Sequence, residues 1–410
     1  MMVMLLVLLS TYPWPIRPFG SAHQVSATLG DARGSVTTPR FHRGIDIPAT
    51  NGTDVFSITS IDSAIVPVGE DYVRVGGYVY MHLTNRINNG DSVTGILDTT
   101  TTSPTQIGDV MDYGTPGPDG DHLHFQVGPA GGPYENPLSH NGGPVGYDDT
   151  GNPTISIDFW RQESEGDTAQ QLVGVLDGKV DIRACCQDTQ TSGGVNNTSG
   201  IYQLVYLISD TLGNVLHSDT TITFPQVQPP NNGAPVLLVY DRHNYRTASP
   251  FYYWATNRIV NNQVEDRYWN TKQRADSAGI PFPDSVDADS IEVARFKDGF
   301  YWVKVYAYDI SDNADSESVL VHIDNFAPRV KQTYSSDWFA FVPTKQHKIW
   351  CCFSEAMDTT TLTAENIKIQ SLKSDSFNYI ITNINYIQAD TLDTFTLYLE
   401  VDSFRYLNCC

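Results

Sequence analysis

Asp121-His122-Leu123-His124-Phe125-Gln126-Val127 is the stretch on which the reading of this chain turns. Polar and apolar residues alternate through it without a break, which is the period of a half-buried β-strand. His122, His124 and Gln126 therefore face one way, and Leu123, Phe125 and Val127 face a core. Upstream, Phe41-His42-Arg43-Gly44-Ile45-Asp46-Ile47-Pro48 carries a His-x-x-x-Asp pair. Gly44, Pro48 and the β-branched Ile45 and Ile47 disfavour a helix. On a strand, a period of two sets His42 and Asp46 on one side and both isoleucines on the other. Between these lies Tyr78-Val79-Tyr80-Met81-His82-Leu83, where the same alternation predicts Tyr78, Tyr80 and His82 together.

The rest of the chain extends the pattern. Short runs rich in Val, Ile, Tyr and Thr are punctuated by Gly, Pro, Asn and Asp, and almost nothing reads as helix, so the fold class is all-β. The expected architecture is an antiparallel sheet domain bearing the histidines, followed by β-sandwich modules. With 410 residues, 40% of them hydrophobic, two or three domains can each bury a core. The net charge is −22. Residues 1–150 hold 6 Arg, no Lys and 15 Asp+Glu, giving −9, so the acidity is spread along the chain rather than confined to a tail. Such a surface repels phosphate backbones, which excludes nucleic acid as a partner, and it disfavours anionic membranes.

Three or more imidazoles with one carboxylate, presented from strands, meet the needs of a zinc site with an open position. In this order and spacing the motifs resemble the lysostaphin/LytM-type zinc peptidases (peptidase family M twenty-three, the duplicated hybrid motif fold). These enzymes cut peptide cross-links in bacterial peptidoglycan. The likeness covers about residues 12–140 and includes Tyr12-Pro-Trp-Pro15, Gly30-Asp-Ala-Arg33, Asn89-Gly-Asp-Ser-Val93, Ile107-Gly108 and Asn136-Pro-Leu138. It implies that His42, Asp46 and His124 bind one Zn²⁺, with His122 as general base and His82 stabilising the oxyanion or orienting the water. Arg33 and Tyr80 are expected to shape the substrate groove. The implied function is a zinc endopeptidase acting on peptidoglycan peptide stems. The alternative is a catalytically silent wall-binding or amidase-activating protein of the same fold. Two departures stand out: Gln126 where the family usually has Glu, and a long, irregular segment over residues 95–120 with threonines at 99–102. Stem peptides carry carboxylates, so the few Arg side chains and the metal are expected to supply positive charge at the cleft.

The domains are read as a catalytic part over 12–150, an Ig-like β-sandwich region over 154–328 and a bacterial Ig-like module over 329–410. The middle region is one sandwich with a long insertion, or two smaller ones. Its aromatics Tyr252, Tyr253, Trp254, Tyr268 and Trp269 are expected in the core before a carbohydrate-stacking surface. Residues 1–11 begin with an apolar run suited to the centre of a secretory signal but without a basic lead, and read as a remnant of one; no stretch is long enough to span a membrane. An exported protein is expected, in the periplasm, cell envelope or medium. The module from 329 ends at Asn408-Cys-Cys410 inside an expected strand, as a truncated reading frame would. Six cysteines form three adjacent pairs, 185–186, 351–352 and 409–410. In a strand one of each pair faces inward, so they read as ordinary strand cysteines or structural disulfides rather than a redox site. Neither the oligomeric state nor the peptide bond cleaved is encoded in these motifs.

Overall fold

The computed structural model describes residues 11–98, 103–114, 120–129, 131–162, 170–227, 232–333, 348–354, 357, 359–367, 381–389 and 394–401. The expectations on residues 1–10, on the threonines at 99–102 and on Cys409 and Cys410 fall outside them. The chain divides into two compact units, 1–325 and 326–410. The class is all-β: the described residues form many antiparallel sheets and one α-helix, Ala234–Val239. No helix among them is long and apolar enough to cross a membrane.

The strand His122–Val127 runs through the middle of a six-stranded sheet. Ile45–Pro48 pairs antiparallel along one side, with Asp46 opposite His124, and Tyr78–Met81 along the other, with Met81 opposite the same histidine. Directly opposed residues of an antiparallel pair project on the same face within contact range, so the register alone brings Asp46 to His124. The alternation holds. Leu123, Phe125 and Val127 join Ile45 and Ile47 in a core closed by Val55, Ile107 and Val110 from a three-stranded sheet. Residues 136–147 fold back on the lead-in: the Tyr12 hydroxyl donates to Pro137 O and Trp14 Nε1 to Val145 O. Leu138 and Tyr147 thereby pack into the same core.

Two further sheets share one core. Lys179–Gln190 is flanked by Thr154–Arg161 on one side and by Phe251–Trp254 and Trp269–Asn270 on the other. The facing sheet takes Gly299–Tyr308 between Ala314–Ile323 and Gln203–Asp210. Alternate residues of both, such as Ile182, Ala184, Val303 and Val305, are fully buried together. Tyr253 and Trp269 belong to this core, whereas Tyr252 and Trp254 sit half-buried beside Arg183 and Trp160. Cys186 is buried and its neighbour Cys185 half-buried, as strand parity requires. Cys185, Cys186, Cys351 and Cys352 are all free thiols.

The His-bearing part and the sandwich are joined within the first unit. Leu29, Ala32, Phe41 and Tyr134 are buried in the sandwich-side cluster. Gln226–Val227, from the sandwich region, pairs with Tyr134–Glu135 and so extends the histidine sheet. At Gly30 (φ +97°) a Cβ would lie 2.6 Å from the Phe224 ring, so only glycine admits this approach. The second unit contains a four-stranded antiparallel sheet in the order Val330–Thr333, Lys348–Phe353, Thr394–Val401 and Ile381–Ala389.

Candidate metal centre

His42 lies in a bend between the strands Thr38–Phe41 and Ile45–Pro48, not on a continuous strand. The bend is tight because Gly44 is pressed against the central strand, where a Cβ would be 2.1 Å from Phe125 O. Two backbone contacts set the His42 ring. The His42 backbone N–H donates to Asp31 O at 2.7 Å, and the ring Nδ1 is 2.8 Å from Thr28 O. A carbonyl only accepts, so the His42 proton sits on Nδ1 and the Nε2 lone pair points inward.

There it meets Asp46 Oδ1 at 3.1 Å and His124 Nδ1 at 2.8 Å, while His124 Nδ1 and Asp46 Oδ1 are 2.7 Å apart. All three residues are buried, with 2, 8 and 7% exposure. The triangle holds two imidazole nitrogens and a carboxylate oxygen with at most one proton among them, a donor set made for a cation. Tetrahedral bonding at zinc–ligand lengths places such atoms about 3.3 Å apart, so these need spread by only a few tenths of an ångström. The donors therefore fit zinc. Arg33 Nη2 contacts Asp46 Oδ2 at 3.4 Å, occupying the other carboxylate oxygen and leaving Oδ1 to the imidazoles.

Burial dominates the titration of His42, lowering it from 6.5 to about 4 despite the neighbouring carboxylate. Burial alone would raise Asp46, but the charge and hydrogen bonds of His42 and His124 outweigh it and hold the carboxyl well below its usual range. His42 Nε2 thus keeps its lone pair at neutral pH.

Two more imidazoles complete the cluster. His122 Nδ1 is 2.7 Å from Gly120 O, which likewise puts its proton on Nδ1 and leaves Nε2 bare, 3.7 Å from Asp46 Oδ1. His82 stacks edge-on to His122 with ring centroids 4.8 Å apart, and its Nδ1 is 2.8 Å from Asp71 Oδ2. It reaches the cleft by an unexpected route. The strand Tyr78–Met81 turns Tyr78 and Tyr80 into the core and Val79 and Met81 towards the cleft. A left-handed backbone at His82 (φ +65°) then breaks the alternation and swings the imidazole to the Met81 side.

Parity also corrects the expectation for Tyr80. It is fully buried, its ring packs on Phe125, and its hydroxyl accepts from Ile58 N–H at 2.9 Å, so it supports the sheet and lines no groove. In its place stands Tyr113, from the irregular 95–120 segment. Its ring stacks on His122 (5.6 Å, 19°) and its hydroxyl contacts His82 Nδ1. No motif surrounds Tyr113, so nothing in the sequence marked it.

These groups lie in a cleft of about 760 Å³, within the size range of small-molecule and peptide sites. Arg33, Arg40, Arg43 and Arg74 line it, four of the six arginines in residues 1–150. Burial and then the charges of Arg33 and Arg43 lower Arg40, the mark of cations crowded together. Gln126 also faces the cleft. Fold and site together define a class: an all-β protein with a buried two-histidine, one-carboxylate centre in an arginine-lined cleft. Comparison of the chain with family models, curated proteins and solved structures finds no match.

Proposed function

We propose that this chain is an exported zinc endopeptidase that hydrolyses the peptide cross-links of bacterial peptidoglycan. The observation that carries the reading is the convergence of His42 Nε2, Asp46 Oδ1 and His124 Nδ1, with the bare Nε2 of His122 beside them. A zinc ion held by these three residues would lower the pKa of a bound water towards neutrality and polarise a carbonyl. His122, its Nδ1–H fixed on Gly120 O, has Nε2 free to accept a proton in the cleft. His82, its Nδ1–H held by the Asp71 carboxylate, keeps a bare Nε2 that can orient a water by accepting from it, and Tyr113 packs on both rings from the open side. Arginines in the cleft suit the carboxylates of stem peptides, since a guanidinium binds carboxylate through two parallel hydrogen bonds. Long-range attraction is not available to a catalytic part carrying −9, so recognition rests on these local cations.

The test is digestion of purified peptidoglycan with mass spectrometry of the released fragments, with and without a chelator. Newly freed amine and carboxyl ends, lost on chelation and in the His42→Ala and His124→Ala variants, are expected. Variants as active as the parent chain would refute the proposal, and so would binding to the wall with no fragment released when zinc is saturating.

A further inference from the structure

A second group of convergent acids lies away from the cleft. Asp149 follows the histidine-bearing part, Asp188 is on the long strand Lys179–Gln190, and Asp309 follows the strand Gly299–Tyr308. Their carboxylate oxygens come within 4.8 Å of one another, and the three residues are 5, 0 and 1% exposed. One oxygen of Asp149 and one of Asp188 are held by neighbours: Asp149 Oδ1 accepts from Gly151 N, Thr191 N and Thr191 Oγ1, and Asp188 Oδ2 from Gln190 Nε2. The remaining oxygens, Asp149 Oδ2 and Asp188 Oδ1, are buried with no hydrogen-bond partner. Asp309 is oriented by Ser311 N, Asn313 N and Asn313 Nδ2.

Burying one unpaired carboxylate costs several kcal/mol, and orphaned buried oxygens are rare. Three together, two of them with an unpartnered oxygen, are relieved either by a proton or by a cation, and a cation satisfies all three at once. We propose that Asp149, Asp188 and Asp309 form a second cation site, taking a hard divalent ion of the calcium type. The donors are all oxygen, which selects against the softer metals that prefer nitrogen and sulfur. Neutral oxygens stand close by: the Tyr147 hydroxyl, which donates to Gln190 Oε1 at 2.7 Å, and Gln190 Oε1 itself. A cavity of about 10 Å³ touches Asp188, Gln190 and Asp309, space for about one water. Magnesium usually keeps several waters, whereas calcium accepts six to eight protein and water oxygens in flexible geometry. Lacking a counter-ion, burial and the charges of Asp149 and Asp309 push Asp188 up to about 8. An ion here joins the histidine-bearing part to both sheets of the sandwich at one point.

The test uses the full chain, stripped of metal and titrated with calcium, followed by calorimetry and thermal unfolding. One calcium per chain is expected, with Tm rising by roughly 5 °C at a hundredfold excess over Kd. Magnesium should give a smaller shift. The response should persist in His42→Ala, which removes a ligand of the first centre, and vanish in the isosteric Asp188→Asn and Asp309→Asn variants, checked for native near-ultraviolet circular dichroism. No heat and no shift in the parent chain would overturn the proposal. So would an Asp188→Asn variant more stable than the parent by the same margin with and without calcium, because the amide would then be replacing a protonated acid.

Discussion

Gly44 carries no chemistry, yet the geometry makes it a sensitive position for the candidate metal centre. In Gly44→Ala the new Cβ would lie 2.1 Å from Phe125 O and 2.8 Å from its carbonyl carbon, where real contacts stay above 3.0 Å. The obstacle is backbone in the middle of a sheet and cannot rotate aside. The strands must therefore part by roughly 1 Å next to the Ile45–Phe125 and Asp46–His124 pairs, lengthening ladder hydrogen bonds beyond useful range. Lost bonds and overpacking together cost about 2–4 kcal/mol, a fall in Tm of roughly 5–10 °C. The same displacement carries Asp46 Oδ1 away from His124 Nδ1, now 2.7 Å distant. A misplaced ligand should weaken zinc by about 10–100-fold. Calorimetry on the metal-free protein measures the first effect, and competition with a chromogenic chelator the second. Gly77→Ala is the control, since no atom lies within 4 Å of its would-be Cβ. If Gly44→Ala matched Gly77→Ala in both assays, the inference that strand spacing sets the metal triangle would be wrong.

Two further outcomes follow from the site. His82→Gly should relieve a left-handed backbone by about 1–2 kcal/mol, offsetting the lost Asp71 contact, while cutting peptide hydrolysis by about 10²–10⁴-fold; a variant that kept its activity would remove His82 from the mechanism. In the metal-free protein, acid should destabilise the fold through His42. Its folded pKa lies below the unfolded value, so protonation favours the unfolded chain, and stability drains away as pH falls from 6.5 to about 4, by about 3 kcal/mol. Urea unfolding across that range should show this loss in the parent chain and much less of it in His42→Gln.

The parts of the site legible in the sequence were those governed by strand period. His122, Leu123, His124 and Phe125 alternate as their pattern demands because one face is buried and the register cannot slip without exposing it. The His42–Asp46 pairing was readable as a shared side, but not the bend that creates it, which depends on contact between Gly44 and a strand some eighty residues away. Period misled at Tyr80 and His82: one backbone torsion reverses a side chain's face, and no residue type announces it, since histidine tolerates φ > 0 better than most. Tyr113 and the three aspartates were invisible for another reason. Tyr113 meets His122 and His82 through a turn that no motif marks, and Asp149, Asp188 and Asp309 are 39 to 160 residues apart, with no local pattern to link them. The all-β class needed none of these details, because strand-forming composition and turn residues recur along the whole chain.

The support behind His42 has a bearing on descent. Asp31, whose carbonyl holds the His42 N–H, accepts through its own side chain from Gly200 N at 3.0 Å, and Gly30 O accepts from the Tyr240 hydroxyl at 2.7 Å. Arg33, which occupies Asp46 Oδ2, is pinned by Thr247 O, and its carbonyl accepts from the Tyr245 hydroxyl. The centre is thus shored up by residues far along the chain, in the sandwich region. A recombination event that moved residues 12–150 alone onto a new partner would carry the ligands but leave their braces behind. Residues 12–150 and the sandwich region thus share one support, and a substitution at Tyr240 or Tyr245 acts on the ligand geometry from outside the cleft.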